Sequence, residues 1–214
     1  MPHLLHIDSS VQGDKSVSRA LSARAAERWR ETHAGGTVSY RDLNVDPVPH
    51  LTLETGAAPL VPAEERTPEQ VASFALRFEL IDEIKQADTL LLGLPVYNFG
   101  PPSTVKSWVD HLIVRGLSIA ADGSGGLLGD TEFIVLHARG GGYVAGTPRE
   151  GWDHAEPWLS HAVSLTGLSP RFITAELTLA EVNPAMFDLK PLAAESLARA
   201  EAAVDELWAG VLTT

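Results

Sequence analysis

Residues 89–103 read TLLLGLPVYNFGPPS, a continuous apolar run followed at once by a loop of aromatic, amide and proline residues. An apolar run without alternation is typical of a strand that is buried on both faces of a parallel sheet. The residues before it recur at helical spacing: Val71, Phe74, Phe78, Ile81 and Ile84. Pro68 fits the first position of that helix. The stretch therefore predicts a helix, a buried strand and a loop in that order.

The same alternation of strands and helices extends over the whole chain. Apolar runs predict five strands, at residues 3–8, 38–43, 90–94, 132–138 and 171–177. Residues at helical spacing predict a helix after each strand, the first with Ser16 as its N-cap and the last over 189–208. Strict alternation predicts an α/β fold, a doubly wound five-stranded parallel sheet with helices on both faces. Ligands of such sheets bind at the carboxyl ends of the strands.

Composition limits the class of protein. The 214 residues carry a formal net charge of −12 and contain no cysteine. The absence of cysteine excludes disulfides, Cys-ligated metals and a thiolate nucleophile, and the acidic charge argues against nucleic-acid binding. No apolar stretch is long enough for a membrane span, and no secretory signal is evident, so a cytoplasmic protein is expected. Residues 1–214 are interpreted as a single domain with an irregular, proline-containing arm at about 44–67.

The loop after the first predicted strand is rich in hydroxyls and leads into a helix, and three of its serines, Ser10, Ser16 and Ser18, are candidate phosphate donors. A helix N-terminus offers free N–H groups and a positive dipole end, which favour an anion such as a phosphate. Ordinary N-capping within a polar loop is the alternative interpretation of the same residues. The sequence lacks both the P-loop and the Gly-x-Gly-x-x-Gly fingerprint, so neither an NTPase nor a Rossmann-type nicotinamide site is expected.

Two further loops follow the third and fourth predicted strands. Pro95-Val96-Tyr97-Asn98-Phe99 offers flat apolar surface and backbone donors that suit the edge of a planar ligand, although the aromatics could instead seal the core. In Ala138-Arg139-Gly140-Gly141, consecutive glycines let the backbone approach a ligand closely. Because the carboxyl ends of parallel strands meet at one edge, these loops are expected to converge with the serine loop.

The chain resembles the flavodoxin-like family of FMN-dependent NADH:quinone oxidoreductases and azoreductases over essentially its whole length. The most specific match is Pro95-Val96-Tyr97-Asn98-Phe99. The other matches are Ser9-Ser10, Ser16-Val17-Ser18, Arg41-Asp42-Leu43, Lys106 with Asp110, Gly126-Leu127-Leu128-Gly129 and Arg139-Gly140-Gly141.

The resemblance implies FMN as cofactor, NADH or NADPH as reductant and a homodimer with sites at the interface. It implies that the FMN phosphate binds Ser10, Ser16, Val17 and Ser18. It implies that the isoalloxazine edge lies along Pro95, Val96, Tyr97, Asn98 and Phe99. The pyrimidine side would then be lined by Ala138, Arg139, Gly140 and Gly141. Tyr97 and Asn98 are the candidate catalytic residues, as positioning groups, and no side chain is required as a general acid or base.

The sequence departs from the family pattern in three places. Val96 stands where methionine is common, and Ala138 stands where a hydroxyl residue is frequent. Residues 118–121 read Ser-Ile-Ala-Ala, Ser118 to Ala121, where the family has aromatic residues beside the substrate. We therefore expect a roomier substrate pocket.

The function expected from these features is transfer of two electrons from NAD(P)H, through FMN, to a quinone, an azo compound or a similar flat acceptor. The alternatives are a flavin-binding electron carrier or redox sensor, and a biosynthetic reductase for a bulky polycyclic substrate. No metal site is expected, since the eight histidines lack ligand spacing. His137 is interpreted as a core histidine at a strand end, and Trp152 and Trp158 as packing residues.

Overall fold

The fold is an all-parallel sheet of five strands, seen in a computed structural model that describes residues 1–210. The strands are β1 (His3–Asp8), β2 (Thr37–Asp42), β3 (Thr89–Pro95), β4 (Glu132–Ala138) and β5 (Pro170–Ala175). They lie in the order β2-β1-β3-β4-β5. All seven residues of β3 are buried, as the uninterrupted apolar run predicts for a central strand covered on both faces.

Six α-helices flank this sheet within the described residues. They are α1 (Val17–Thr32), α2 (Leu53–Ala57), α3 (Pro68–Gln86), α4 (Ser103–Leu112), α5 (Ala155–Ser164) and α6 (Lys190–Asp205). One apolar core lies between the sheet and α3, α4 and α5, and the other lies between the sheet and α1 and α6. The predicted doubly wound architecture is therefore confirmed.

The ends of several elements agree with the local chemistry of the sequence. Ser16 is the N-cap of α1, and its hydroxyl accepts a hydrogen bond from the backbone N–H of Arg19. Pro68 occupies the first turn of α3, where its missing N–H costs no hydrogen bond. The strand predicted over 171–177 is shorter than expected, because β5 ends at Ala175 and Leu177 has a φ of +61°. A left-handed residue cannot continue a strand, so the chain turns there.

The segment predicted as an irregular arm, about 44–67, contains one short α-helix, α2, and two single-turn 3-10 helices, Ala58–Leu60 and Ala63–Glu65. Thr52 and Thr55 form a reciprocal capping box at the start of α2, each hydroxyl accepting from the other residue's N–H. The helix has only five residues, so it is too short to produce a helical period in the sequence. Of the described residues, no helix is long and apolar enough to cross a membrane.

The apolar residues of α3 lie on two faces of the helix. Ile81 and Ile84 are buried against the sheet, as predicted, whereas Val71 and Phe78 are 52% and 53% exposed. Helical spacing identifies an apolar face, but it does not say which surface covers that face. The outward residues of α3 are therefore available for a contact outside this chain.

Candidate functional site

The loop between β1 and α1, residues 9–16, forms one end of a cleft at the carboxyl edge of the sheet. Within residues 1–210, the backbone N–H groups of Val17 and Ser18 donate to no acceptor, so α1 begins with free donors. Ser16 and Val17 line the cleft. A helix N-terminus with unpaired donors and a positive dipole end is a favourable place for a phosphate.

Ser10 and Ser18 lie behind Ser16, the serine that lines the cleft. Ser18 is fully buried, and its hydroxyl oxygen is 3.1 Å from that of Ser16. The Ser10 hydroxyl oxygen is 3.1 Å from the phenolic oxygen of Tyr97, and it accepts a hydrogen bond from the N–H of Gln12. The structure thus places Ser16 at the cleft and gives Ser10 and Ser18 hydrogen bonds that hold the loop.

Tyr97 joins the loop after β3 to the loop after β1. Its hydroxyl accepts a hydrogen bond from the N–H of Val11 at 3.1 Å, in addition to its contact with Ser10. Pro95, Val96 and Tyr97 line the cleft. The ring of Tyr97 therefore spans two of the loops that the sequence predicted to converge.

Asn98 and Phe99 form a tight two-residue turn. The N–H and carbonyl of Tyr97 bond to the carbonyl and N–H of Gly100, at 2.9 and 3.0 Å. Asn98 has a φ of +48° and Phe99 a φ of +69°, the positive values that a type I′ turn requires at both central positions. Asparagine tolerates this conformation, but for phenylalanine it costs of order 1–2 kcal/mol.

The strained turn is held from the far side by the segment before α5. The carbonyl of Phe99 accepts a hydrogen bond from the N–H of His154 at 2.8 Å. The Phe99 ring contacts the rings of Trp152 and Tyr143 edge to face, with centroids 5.3 and 6.4 Å apart. Trp152 is half exposed, so the packing role predicted for it is a contact with this loop rather than with the core.

The loops after β4 and β5 form the opposite wall of the cleft. The N–H groups of Leu177, Thr178 and Leu179 donate to carbonyls of residues 139–141, at 3.0 to 3.2 Å. Gly140 is required by this packing, since a Cβ atom there would lie 2.7 Å from Cδ1 of Leu179. Ala138 and Gly140 line the cleft, as predicted, and Gly141 is buried beside them.

Sequence reasoning missed part of the lining. The structure adds two residues from the first loop and three from the loop after β5: Gln12, Lys15, Thr178, Leu179 and Val182. The β5 loop has no glycine run or serine cluster, and its residues resemble the end of a strand. Its position at the carboxyl edge of the sheet was the signal that could have identified it.

The side chain of Arg139 points away from the cleft into a group of carboxylates. Its Nη2 lies 2.7 Å from Asp153 Oδ2 and 2.5 Å from Glu156 Oε2, and its Nη1 lies 3.2 Å from Glu176 Oε1. Only the backbone of Arg139 takes part in the wall described above. Arg139 can therefore meet a ligand in this cleft only through its backbone, and its predicted place beside a cofactor stays a prediction.

His137 lies next to this group and is fully buried, as the sequence interpretation of a core histidine expects. Its Nε2 is 3.7 Å from Asp153 Oδ2. Burial lowers the pKa of His137 from 6.5 to about 4, and the attraction of Asp153 offsets this only in part. Potential ligand atoms of His137, Asp153 and Glu156 lie within 4.8 Å of one another, but the cation of Arg139 already binds both carboxylates.

Ser118 to Ala121, the stretch that departs from the family pattern, lies outside the lining of the cleft. The Ser118 hydroxyl donates to the carbonyls of Leu112 and Val114 at the end of α4. Its role in the structure is therefore to close that helix. The roomier substrate pocket stays a prediction.

The cleft as a whole suits an elongated ligand with one anionic end. Its volume is about 420 Å³, within the range of small-molecule sites. The side next to β1 has the free N–H groups of α1 and the residue Lys15, whereas the side next to β5 has Leu179 and Val182. An FMN molecule has this distribution of charge and apolar surface, so the residues present fit that group.

Comparison with known proteins agrees with the fold. Residues 2–205 match the family described as Flavodoxin-like fold. A protein of Parafrankia sp. (strain EAN1pec) named FMN-dependent NADH:quinone oxidoreductase is 42% identical over 210 residues, covering 95% of this chain and 100% of that protein. A protein of the same name from Streptomyces avermitilis is 44% identical over 202 residues, covering 94% and 92%.

Solved structures share the fold at lower sequence identity. An azoreductase from Bacillus anthracis str. Sterne superimposes with a TM-score of 0.84 at 19% identity and full coverage of both chains. An FMN-dependent NADH-azoreductase from Bacillus anthracis str. Ames Ancestor, solved in complex with FMN, gives a TM-score of 0.79 at 23% identity, covering 99% of this chain and 100% of that one.

Proposed function

The chain belongs to the flavodoxin-like family that includes the FMN-dependent NADH:quinone oxidoreductases, and we propose that it carries two electrons from NADH or NADPH to a quinone, an azo compound or a similar flat aromatic acceptor. When bound, FMN supplies this two-electron chemistry. The protein binds and orients the reactants, and no side chain is required as a general base. The observation that carries the proposal is the cleft itself, with free helix donors at one end and apolar loops at the other.

Different residues would bind the phosphate end and the ring system of FMN. Val17 and Ser18 would hold the phosphate with their backbone N–H groups, and Ser16 would hold it with its hydroxyl. Pro95 to Phe99 would lie along the edge of the ring system, where the fixed turn presents its backbone in one orientation. Ala138, Gly140 and Gly141 would face the pyrimidine side, and Leu179 and Val182 would keep water from it.

The experiment that tests this proposal is a flavin titration followed by turnover. Apoprotein is titrated with FMN, and NADH oxidation is then measured with and without a benzoquinone or naphthoquinone. We expect saturable FMN binding and quinone-dependent NADH oxidation. A protein that takes up no FMN would contradict the proposal, and one that binds FMN but oxidises no NADH with any acceptor would favour the electron carrier.

A pair of variants tests the phosphate end. Ser16→Ala combined with Ser18→Ala removes a hydroxyl donor and the group that orients it, and a hydrogen bond to a charged group contributes about 1.5–3 kcal/mol. The dissociation constant of FMN should therefore rise about tenfold or more. Ser164→Ala, which removes an exposed serine from the end of α5, is the control. Equal FMN affinity in the double variant and the control would refute the assignment.

We also propose a homodimer, in which the segment 44–67 and α3 contribute to the interface. The support is apolar surface that this chain leaves uncovered: Leu53 and Leu60 are 94% and 85% exposed, and Phe78 is 53% exposed. Sedimentation velocity should give a dimer for the parent and a shift to monomer for Phe78→Glu. Phe187→Glu changes a comparably exposed aromatic after β5 and serves as the control. A monomeric parent would refute the dimer.

A further inference from the structure

A charged network lies directly beneath the loop that is proposed to hold the phosphate. Its members are Arg19, Asp8, Asp42 and Tyr40, and we call it the Arg19 network. The Arg19 side chain is only 15% exposed, although it carries a full positive charge. Arg19 does not line the FMN cleft and instead lies on the other side of the loop. It can therefore act on a ligand only through the loop.

The Arg19 side chain holds the loop through the main-chain carbonyl of Ser10. Its Nε and Nη2 both donate to the carbonyl oxygen of Ser10, at 3.0 and 2.7 Å. This oxygen therefore points to the guanidinium, which lies outside the lining of the cleft. The negative end of the Ser10 carbonyl dipole is thus kept apart from the place where an anion would bind.

Arg19 also balances the charge of two carboxylates. Its Nη2 lies 2.8 Å from both carboxylate oxygens of Asp42, and its Nη1 lies 3.6 Å from Asp8 Oδ2. Burial raises the pKa of Asp42, but hydrogen bonds from Arg19 and from the N–H of Asn44 outweigh it and lower the pKa overall. Asp8 is buried and accepts hydrogen bonds from Ser22 and Tyr40.

Two carboxylates beneath an anion site are unfavourable unless a cation offsets them. Arg19 is the one arginine or lysine paired with these two carboxylates among the described residues, and the other basic neighbour is His6, whose Nε2 lies 3.5 Å from Asp8 Oδ2. Removal of Arg19 would therefore leave both carboxylates without their guanidinium partner below the loop. Like charges in partly buried surroundings repel one another over several ångströms, because the surrounding protein screens them less than bulk water does. A phosphate dianion bound to the loop would experience this repulsion twice.

We propose that Arg19 is a positioning residue that sets the preference of this loop for a flavin carrying a phosphate. The inference rests on the proposed FMN site and deepens it. Arg19 fixes the orientation of the Ser10 carbonyl and offsets Asp8 and Asp42, and the direct contacts to the phosphate belong to the first turn of α1. The preference for FMN over riboflavin is then a property of the network as well as of the serines.

The test compares two ligands that differ only in the phosphate. Dissociation constants for FMN and riboflavin are measured with the parent, Arg19→Ala and Arg19→Lys, together with the unfolding midpoint of each apoprotein. Arg24→Ala is the matched control, since Arg24 lies on the same helix and pairs with an acidic residue, Asp205, at the surface. In Arg19→Ala, FMN affinity should fall by about tenfold to a hundredfold while riboflavin affinity changes little.

Arg19→Lys keeps the positive charge but loses the fork that bridges the carbonyl and the carboxylate, so its preference for FMN should lie between parent and Arg19→Ala. Adding Asp42→Asn to Arg19→Ala removes one of the uncompensated charges and should restore part of the FMN affinity.

A cleft of about 500 Å³ borders Arg19 and opens to solvent. Millimolar guanidinium should therefore improve FMN binding by Arg19→Ala and leave the parent unchanged.

The outcomes separate the inference from the proposed function. If the parent binds FMN no better than riboflavin, the phosphate site itself is wrong. If the parent prefers FMN and Arg19→Ala keeps that preference, the role of Arg19 is refuted. An equal loss of affinity for both flavins, accompanied by a lower unfolding midpoint, would also refute it, because it would show a purely structural role.

Discussion

The buried His137 makes the protein acid-sensitive in a specific pH range. Burial lowers the pKa of His137 from 6.5 to about 4, so the folded chain takes up its proton later than the unfolded chain does. Stability from the neutral imidazole is therefore fully present above pH 6.5 and is lost as the pH falls toward 4. The groups that face the ring are Asp153, Glu156, Arg139 and Phe172.

The size of the effect follows from the difference between the two pKa values. One pKa unit corresponds to 1.36 kcal/mol, so a difference of about 2.5 units amounts to about 3 kcal/mol when complete. At pH 5 the unfolded histidine is almost fully protonated and the folded one is mostly neutral. About 2 kcal/mol should therefore be lost between pH 7 and pH 5.

The assay is equilibrium urea unfolding of apoprotein at several pH values between 7 and 4.5. His137→Leu replaces the imidazole by an apolar side chain that cannot take up a proton, so the variant should lose about 2 kcal/mol less than the parent by pH 5. The pH dependence of groups that do not contact His137 is common to both proteins and cancels in the difference. His161→Gln, a change at an exposed position, should follow the parent. Parallel profiles for the parent and His137→Leu would refute the reasoning.

Three further substitutions test residues in the wall of the cleft or directly behind it. Arg139→Gln leaves Asp153 and its neighbouring glutamates without their guanidinium partner, which should lower the free energy of unfolding by about 3 kcal/mol at neutral pH. This loss is measurable by urea unfolding. Gly140→Ala forces the Leu179 side chain to move, so FMN affinity should fall. The double variant Gly140→Ala, Leu179→Ala should recover part of that affinity. Gly56→Ala adds a methyl group at an open position and should leave FMN affinity unchanged. Tyr97→Phe removes the hydroxyl that links two loops, and it should cost about 1–2 kcal/mol of stability and speed FMN release in stopped flow.

Local patterns predicted the framework because the deciding interactions are local. The bounds of β1 and β4 agree with the sequence prediction at both ends, since each apolar run is delimited by polar or glycine residues. Ser16 and Pro68 mark the starts of α1 and α3 because capping depends on one or two neighbouring residues. The convergence of three loops followed from parallel topology and required no knowledge of side chains.

The features that the sequence did not show depend on contacts between distant segments. The sequence around Leu177 does not predict its left-handed conformation. That conformation depends on backbone hydrogen bonds between the loop after β5 and residues 139–141. Arg139 stands in the sequence beside the glycines of the wall, yet its partners are acidic residues 14 to 37 positions further along the chain. Helical spacing placed Phe78 on an apolar face but could not show that this face is turned outward.

The same long-range contacts explain how a loop with an unfavourable backbone can be a fixed part of a site. Phe99 adopts its left-handed conformation because a backbone hydrogen bond from His154 and the rings of Trp152 and Tyr143 hold it there. Asp153, next to His154, caps α5 through the N–H of Ala155 and also binds Arg139. The strained turn on one side of the cleft and the glycine wall on the other are therefore held by one segment, residues 152–154. An enzyme that leaves the chemistry to its cofactor depends on this kind of fixed geometry.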